Sequence, residues 1–401
     1  MNVYERLGVR TLINAQGEVT RLGGALMEQE TSDAIAEAAK YSVRMDELQA
    51  AASKIIAKIT GAEAGYVTSG ASAALTLATA ACLAGLDVDR MNRLPDTSNM
   101  PNEVLIDQRQ RQGYDHAIRL AGAKLVNVGM PNSRIHGDEA YTTKWWEFEL
   151  AISERTAAIA YFYVPESNPP LEEIVKLSRK YKIPLIVDAA EQVPPVENLR
   201  KFIDMGATLV AYSGGKGVRG PQNSGILCGT KELIASVALQ NLDMGLTNFE
   251  KWEISSSLIP VEKLRGIPQQ GIGRGMKASK ESIVGLLVAL QRMAEKKSVS
   301  VQQLRQMIEP IAEQVRGIPG VETEIRELFP GTHPLLTIKV DEVKLGRSAS
   351  EVVQRLRDGE PPVYAIDMLA PLGMIFISSV NMLHEEQVKI VGQQLSAALK
   401  S

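Results

Sequence analysis

Between Gly65 and Cys228 the apolar residues fall into short runs separated by stretches of helical spacing, and this alternation leaves few folds open. The runs are Gly65-Tyr66-Val67, Val104-Leu105-Ile106, Lys124 to Val128, Ala157 to Tyr163, Pro184 to Ala190, Ala207 to Tyr212 and Ile226-Leu227-Cys228. Between them lie an alanine-rich helix from Ala73 to about Leu83 and a helix from Leu171 to Tyr181, with Leu171, Ile174, Val175 and Leu177 on its core face. The expectation is an α/β fold with a doubly wound, mostly parallel sheet. Such sheets bind ligands beyond the carboxy ends of their strands, and three features fall there: the Ser69 turn, Asp188 and Lys216.

Lys216 stands in the glycine-rich turn Ser213-Gly214-Gly215-Lys216-Gly217-Val218-Arg219-Gly220. Gly215, Gly217 and Gly220 satisfy the spacing of a dinucleotide fingerprint, but Pro221-Gln222-Asn223-Ser224-Gly225 and a second strand follow where that motif needs a helix. A phosphate-binding P-loop fails too, because Gly217 follows the lysine where Ser or Thr is required. The remaining pattern is strand, lysine turn, strand, with glycines that give the lysine clearance to swing. Upstream, Gly65 to Ser72 is a strand running into Ser69-Gly70-Ala71-Ser72 at a helix start. Free N–H groups, hydroxyls and the positive end of the helix dipole suit a phosphate there; an ordinary N-cap by Ser69 or Ser72 is the alternative.

The flanks are read as follows. Residues 1 to about 30 form an irregular arm in which Arg21 is a candidate anion contact, and helices fill 31 to 59 up to Gly61. Leu86 to Asn102 reads as a loop, and Tyr114 and His116 lie just past a strand end, where they would cover a flat cofactor or cap the next helix. Helical segments run from Gly229 to Trp252, and a turn bearing Arg274 and Lys277 precedes a helix from Ser279 to about Lys296. Beyond 300 the order is helix, strand, strand, helix, two short strands and a final helix, Glu385 to Lys400, a small α+β domain. The expected domains are an arm at 1–30, a large domain at 31–275, and a linker helix with the small C-terminal domain at 276–401.

Composition sets exclusions. The 401 residues are 45% hydrophobic, enough for a substantial core, and 44 Lys+Arg against 47 Asp+Glu leave a net charge of -3, without a nucleic-acid footprint. No apolar run spans a bilayer and the amino terminus lacks an apolar core, so a cytoplasmic protein is expected. Cys82 and Cys228 lack a C-x-x-C partner and read as core residues, and His116, His136, His333 and His384 show no metal-ligand spacing; no metal is expected.

A phosphate cradle, a strand-end carboxylate and a turn lysine together suit pyridoxal 5′-phosphate. The lysine forms a Schiff base, Asp188 pairs with the pyridine nitrogen and keeps it protonated, and the Ser69-Gly70-Ala71 turn anchors the phosphate, with Ser213 as a second contact. His116 would lie over the ring.

In order along the chain, Leu12-Ile13-Asn14-Ala15-Gln16-Gly17, Tyr66-Val67-Thr68-Ser69-Gly70-Ala71, Gly113-Tyr114-Asp115-His116, Ile186-Val187-Asp188-Ala189-Ala190, Ser213-Gly214-Gly215-Lys216-Gly217 and Gly273-Arg274-Gly275-Met276-Lys277 resemble the aspartate-aminotransferase superfamily of fold type I enzymes. More narrowly, they resemble the branch holding bacterial selenocysteine synthase and D-glucosaminate-6-phosphate ammonia-lyase. The resemblance implies a PLP-dependent lyase that eliminates a β-hydroxyl, assisted by His116 or Tyr114, from a small hydroxylated anionic amino acid or amino-sugar acid, giving a 2-keto acid and ammonia. It also implies a homodimer or larger homo-oligomer, since this fold builds its site between subunits. Selenium or sulfur transfer, transamination and retro-aldol cleavage are the alternatives. Two departures matter: the chain enters the Asn14-Ala15-Gln16-Gly17 motif almost at once, without the tRNA-binding region of selenocysteine synthase, and Pro361 to Ile366 lacks the arginine with which many fold type I enzymes grip a carboxylate. Arg274 and Lys277 match a basic pair that the selenium-transferase branch uses near its substrate anion. With Tyr114 and Arg21 they form the expected substrate set; phosphate neutralisation or helix capping is the alternative role of the pair.

Overall fold

The computed structural model describes residues 1–130, 142–245, 257–327, 329 and 331–400. The chain opens with a short strand, β1 (Ile13–Ala15), and then supplies seven strands to one sheet: β2 (Ala64–Thr68), β3 (Glu103–Asp107), β4 (Lys124–Val128), β5 (Thr156–Phe162), β6 (Leu185–Asp188), β7 (Leu209–Ser213) and β8 (Gly225–Gly229). Their spatial order is β2-β8-β7-β6-β5-β3-β4. Every pairing is parallel except those of β8, which runs antiparallel to both β2 and β7.

Apolar clusters cover both faces of this sheet, which is why its strands read as continuous apolar runs rather than alternating ones. One cluster takes Tyr66, Ile106, Ile186, Leu209 and Leu227, and the other takes Val67, Leu105, Val187, Val210 and Ile226. The helix Ala71–Ala84 is buried along nearly its whole length in the first cluster, and its alanines let it lie close to its neighbours. β2 is an edge strand whose outer face is sealed by side chains. Gln49 donates to the Val67 carbonyl at 2.8 Å and accepts from the Val67 N–H at 3.1 Å, and the Gly65 N–H donates to Ser53 Oγ at 3.1 Å.

The chain divides into two compact units, Met27–Ala294 and Met1–Leu26 with Glu295–Ser401. The smaller unit holds an antiparallel sheet of β9 (Val321–Glu327), β10 (Pro334–Val340) and β12 (Met374–Ser378) in the order β12-β10-β9. Its remaining strand, β11 (Val363–Ala365), pairs in parallel with β1. The helices Val301–Val315, Ala349–Asp358 and Glu385–Lys400 close its core.

Three sequence expectations are corrected. The arm is not wholly irregular: Ile13, Asn14 and Ala15 register against Val363, Tyr364 and Ala365, so residues 1–26 belong with the C-terminal unit. Leu86 to Asn102 contains a helix, Val88–Arg93, started by Asp87, whose side chain accepts from the Asp89 and Arg90 N–H groups. The helix Lys280–Ala294 is part of the larger unit, because Ile283, Leu286, Leu287 and Leu290 pack into its second cluster. Cys228 is fully buried, as expected of a core residue, while Cys82 is half-buried at the edge of the first cluster. Trp252 and His136 lie outside the described residues.

Candidate active site

The carboxy ends of β2, β7 and β6 meet at one edge of the sheet, where β8 begins. Gly225, the first residue of β8, registers against Thr68 on one side and Ser213 on the other, so one glycine separates the Ser69 turn from the end of β7. A Cβ on Gly225 would lie 2.5 Å from the Gly70 carbonyl carbon; only glycine lets these segments come so close. On β7's other side Asp188 registers against Ala211, which places the carboxylate one strand from the lysine turn.

The helix start has no side-chain cap. Gly70 is the N-cap residue, with φ +130, and neither Ser69 nor Ser72 caps the helix. The Ser69 hydroxyl instead donates to the Met276 carbonyl at 2.9 Å. A Cβ built on Gly70 meets nothing within 4 Å, so there is open space beside the N-cap residue of this uncapped 14-residue helix. Unpaired amides at the positive end of a helix dipole are what a phosphate needs.

Asp188 is half-buried at the end of β6. Burial pushes its carboxyl up to about 6; the Ala190 N–H, donating to Oδ1 at 3.0 Å, and the Lys216 ammonium pull it down, while Glu191 pushes it further up. A carboxylate under such pressure gains from a cation beside it. Lys216 is 19% exposed, and its Nζ lies 2.6 Å from Glu191 Oε1. Glu191 is a residue that sequence reasoning missed; the available signal was a second acid in Asp188-Ala189-Ala190-Glu191, one turn beyond the strand end.

The glycines around Lys216 serve packing rather than clearance. A Cβ on Gly217 would sit 1.9 Å from the Val193 carbonyl oxygen, one on Gly215 2.5 Å from Gln222 Cα, and one on Gly214 2.2 Å from Ser224 Oγ. The Val193 and Gln222 backbone and the Ser224 side chain therefore hold the lysine turn in place.

The basic turn Ile272–Met276 is strapped to the same place. Asn241 donates to the Gly273 carbonyl at 2.8 Å and accepts from the Tyr66 hydroxyl at 3.0 Å, and Met276 accepts from Ser69. Arg274 donates to the Asn241 carbonyl at 2.9 Å and lies 3.8 Å from Asp243, while Lys277 is exposed. Neither caps the helix that follows: the Ser279 hydroxyl accepts from the Ser282 N–H. The turn and the uncapped helix start are thus tied through the Ser69–Met276 bond.

His116 and Tyr114 lie further along the edge, after β3. The Thr76 hydroxyl donates to the Ala117 carbonyl at 2.9 Å and ties their segment to the Ala71–Ala84 helix. Tyr114 is 59% exposed. His116 Nδ1 lies 3.0 Å from an Arg119 nitrogen; a guanidinium only donates, so Nδ1 is an acceptor and the ring proton sits on Nε2. Arg119 also pairs with Asp115, whose carboxyl burial would raise but which the Arg111 and Arg119 hydrogen bonds hold below the usual carboxylate range. Arg21 belongs to the smaller unit, where it donates to Gln16 Oε1 at 2.5 Å. Among the described residues no cluster of acids, histidines and cysteines could hold a metal ion, and no helix is long and apolar enough to cross a membrane.

Two variants test this geometry. Gly217→Ala must displace either the lysine turn or Val193, and its thermal midpoint is expected to fall by several degrees in a circular-dichroism melt, a cost of about 1–3 kcal/mol. An unchanged midpoint would contradict the close packing. Asp188 binds its proton more tightly folded than unfolded, so its burial costs stability increasingly as pH rises from 4 to 6 and by a constant amount above that. Cofactor-free Asp188→Asn is therefore expected to melt higher than the parent at pH 8, by no more than about 3 kcal/mol, and together with it at pH 4. The same difference at both pH values would contradict the burial argument.

No protein-family model matches the chain. It is 32% identical over 374 residues to D-glucosaminate-6-phosphate ammonia lyase of Salmonella typhimurium, covering 91% of this chain and 89% of that one. It is 31% identical over 385 residues to a 5'-C-glycyluridine monooxygenase-decarboxylase of a Streptomyces species, covering 93% and 86%. An L-seryl-tRNA(Sec) selenium transferase of Aquifex aeolicus is 26% identical over 88% of this chain and 77% of its own. The solved structure of a D-glucosaminate-6-phosphate ammonia-lyase superposes with a TM-score of 0.81 at 30% identity, over 100% of this chain and 98% of that one. With three strand ends meeting at one edge and this breadth of likeness, the chain belongs to the fold type I PLP-dependent enzymes, in the branch of D-glucosaminate-6-phosphate ammonia-lyase.

Proposed function

We propose that this protein binds pyridoxal 5′-phosphate at the β2–β7–β6 edge and catalyses α,β-elimination from a small, anionic, hydroxylated amino acid, an amino-sugar acid above all, yielding a 2-keto acid and ammonia. One observation carries the reading: an uncapped helix start with open space beside its N-cap glycine, a half-buried strand-end carboxylate raised to about 6 and a backbone-clamped lysine lie on neighbouring strand ends. These groups match the cofactor's phosphate, its ring nitrogen and its aldehyde carbon in turn. The likeness to the ammonia-lyase of Salmonella typhimurium over 91% of the chain supports the reaction and the substrate class.

When bound, the cofactor supplies an electron sink for the pair left at the substrate's Cα. The residues of the chain do the rest. The Gly70–Ala71 amides and Ser213 hold the phosphate, Asp188 keeps the ring nitrogen protonated, and His116 covers the ring with its Nε2–H free. Lys216 carries the cofactor and, once released as an amine, takes the Cα proton. Ser69 positions rather than binds, since its hydroxyl holds the 272–276 turn against the helix start. That tie directs Arg274 and Lys277 toward anions at the phosphate side of the site. A cytoplasmic homodimer or larger homo-oligomer goes with this reading.

A second reading rests on the Streptomyces relative, nearly as similar as the lyase and named for oxidative decarboxylation. Ammonia and keto-acid release, oxygen uptake and carbon dioxide release, followed on D-glucosaminate-6-phosphate, serine and threonine of both hands and a glycyl nucleoside, separate the two. Ammonia and keto acid from D-glucosaminate-6-phosphate are expected, without oxygen uptake. The purified protein is expected to be yellow, with borohydride fixing the cofactor to Lys216 as read by peptide mass spectrometry. Lys216→Ala should be colourless and lose at least ~10³-fold in turnover. A yellow, fully active Lys216→Ala would sink the assignment.

A further inference from the structure

Elimination of a β-hydroxyl needs two proton movements, and the residues named so far account for one. Lys216 takes a proton from Cα, but hydroxide is a poor leaving group and has to depart as water, so an acid must reach the oxygen on Cβ. Neither aromatic expected to serve is built for this. The His116 Nδ1 accepts from the Arg119 guanidinium, and among the described residues no hydrogen bond joins His116 or Tyr114 to Lys216, the group that collects the Cα proton.

Resting on the elimination reading above, we propose that Glu191 is that acid: it receives the proton that Lys216 has collected and delivers it to the oxygen leaving Cβ. Glu191 Oε1 stands 2.6 Å from Lys216 Nζ, a short charge-assisted hydrogen bond along which a proton passes without either group moving. The ammonium is inside, with its side chain 19% exposed, and the carboxylate is 75% exposed, so the pair leads from the lysine toward solvent. The carboxylate's backbone is held in a tight turn from the end of β6. The Ala190 N–H donates to Asp188 Oδ1, the Gln192 N–H donates to the Ala189 carbonyl, and the Gln192 side chain donates to the Tyr163 carbonyl at 3.3 Å. Asp188 and Glu191 thus leave one turn in two directions, the first toward the ring nitrogen and the second toward the lysine.

The proton account closes. Lys216, as an amine, removes the Cα proton and becomes an ammonium, and the ammonium passes that proton to the Glu191 carboxylate. The Glu191 carboxyl gives it to the β-oxygen as the Cβ–O bond breaks with its electron pair, and the pair from the Cα–H bond becomes the Cα=Cβ bond. Water leaves, and Lys216 and Glu191 return to their starting forms with no oxidant, reductant or metal.

The test compares Glu191→Gln and Glu191→Asp with the parent, each loaded with cofactor, on D-glucosaminate-6-phosphate and on β-chloro-D-alanine, whose chloride leaves without a proton. Glu191→Gln should lose ~10²-fold or more on the hydroxylated substrate, at least tenfold more than on the chlorinated one, and Glu191→Asp should recover part of the loss. In the cofactor-free protein, Lys216 acetylation by acetic anhydride at pH 8, read by peptide mass spectrometry, should be several-fold faster in Glu191→Gln, because the 2.6 Å hydrogen bond that engages Nζ with a carboxylate is gone. Equal losses on both substrates, no loss on either, or an unchanged acetylation rate would overturn the role of Glu191. A parent protein that releases chloride but eliminates from no hydroxylated amino acid would instead count against the reaction class.

Discussion

A half-buried carboxylate at the end of β6 is the constraint around which the larger unit is arranged. Desolvation raises Asp188 to about 6, and a single backbone N–H together with the Lys216 ammonium resists that rise. An ionised group held this way is expensive alone and cheap beside a cation, so the fold keeps a place for positive charge before any ligand arrives. The parallel run of β5, β6 and β7 brings Asp188 and the lysine turn to adjacent strand ends. The reversal of β8 lets β2, with the uncapped helix that follows it, come to the same edge.

What holds these ends in place is mostly backbone. The Val193 carbonyl at Gly217, the Gln222 main chain at Gly215 and the Gly70 carbonyl at Gly225 all approach closer than a side chain would allow. Asn241 and Ser69 fasten the 272–276 turn by hydrogen bonds to its carbonyls. Contacts of this kind leave the side chains free while fixing where they start, which suits the anchor and base roles proposed for Lys216.

The sheet was legible in the sequence because each strand is buried on both faces and so reads as an apolar run, and the final helix was found to the residue, Glu385–Lys400. Lys216 and Asp188 stood out in the sequence as candidates because a lysine in a glycine turn and an acid at a strand end are rare in a core pattern, and the fold brings them to adjacent strand ends. The β1–β11 pairing was not, since three residues carry no period and their partner lies at the other end of the chain. The helix Val88–Arg93 was hidden among Pro, Asn and Asp that usually mark loops, although Asp87 was there as its cap. The glycines of the lysine turn were seen but misread, because a sequence shows that a side chain is missing and not which backbone fills its place. Glu191 was passed over for a similar reason: a surface acid is common, and only the fold shows that Lys216 is within 2.6 Å.

Relatives of near-equal likeness are named for ammonia loss and for oxidative decarboxylation, and a more distant one for selenium transfer. A scaffold this broad cannot select the reaction through the residues that hold the cofactor, because those serve any chemistry that begins by weakening a bond at Cα. Selection has to come from groups at the mouth of the site, which decide what anion is drawn in and where the next proton goes. On the reading proposed above, those groups are the strapped turn bearing Arg274 and Lys277 and the turn bearing Glu191. Each is tied to an element to which that reading gives the cofactor, the first through the Ser69–Met276 bond and the second through the turn that Ala190 makes with Asp188. Substrate choice and proton delivery are therefore mechanically tied to cofactor placement: a shift in either strand end would move both.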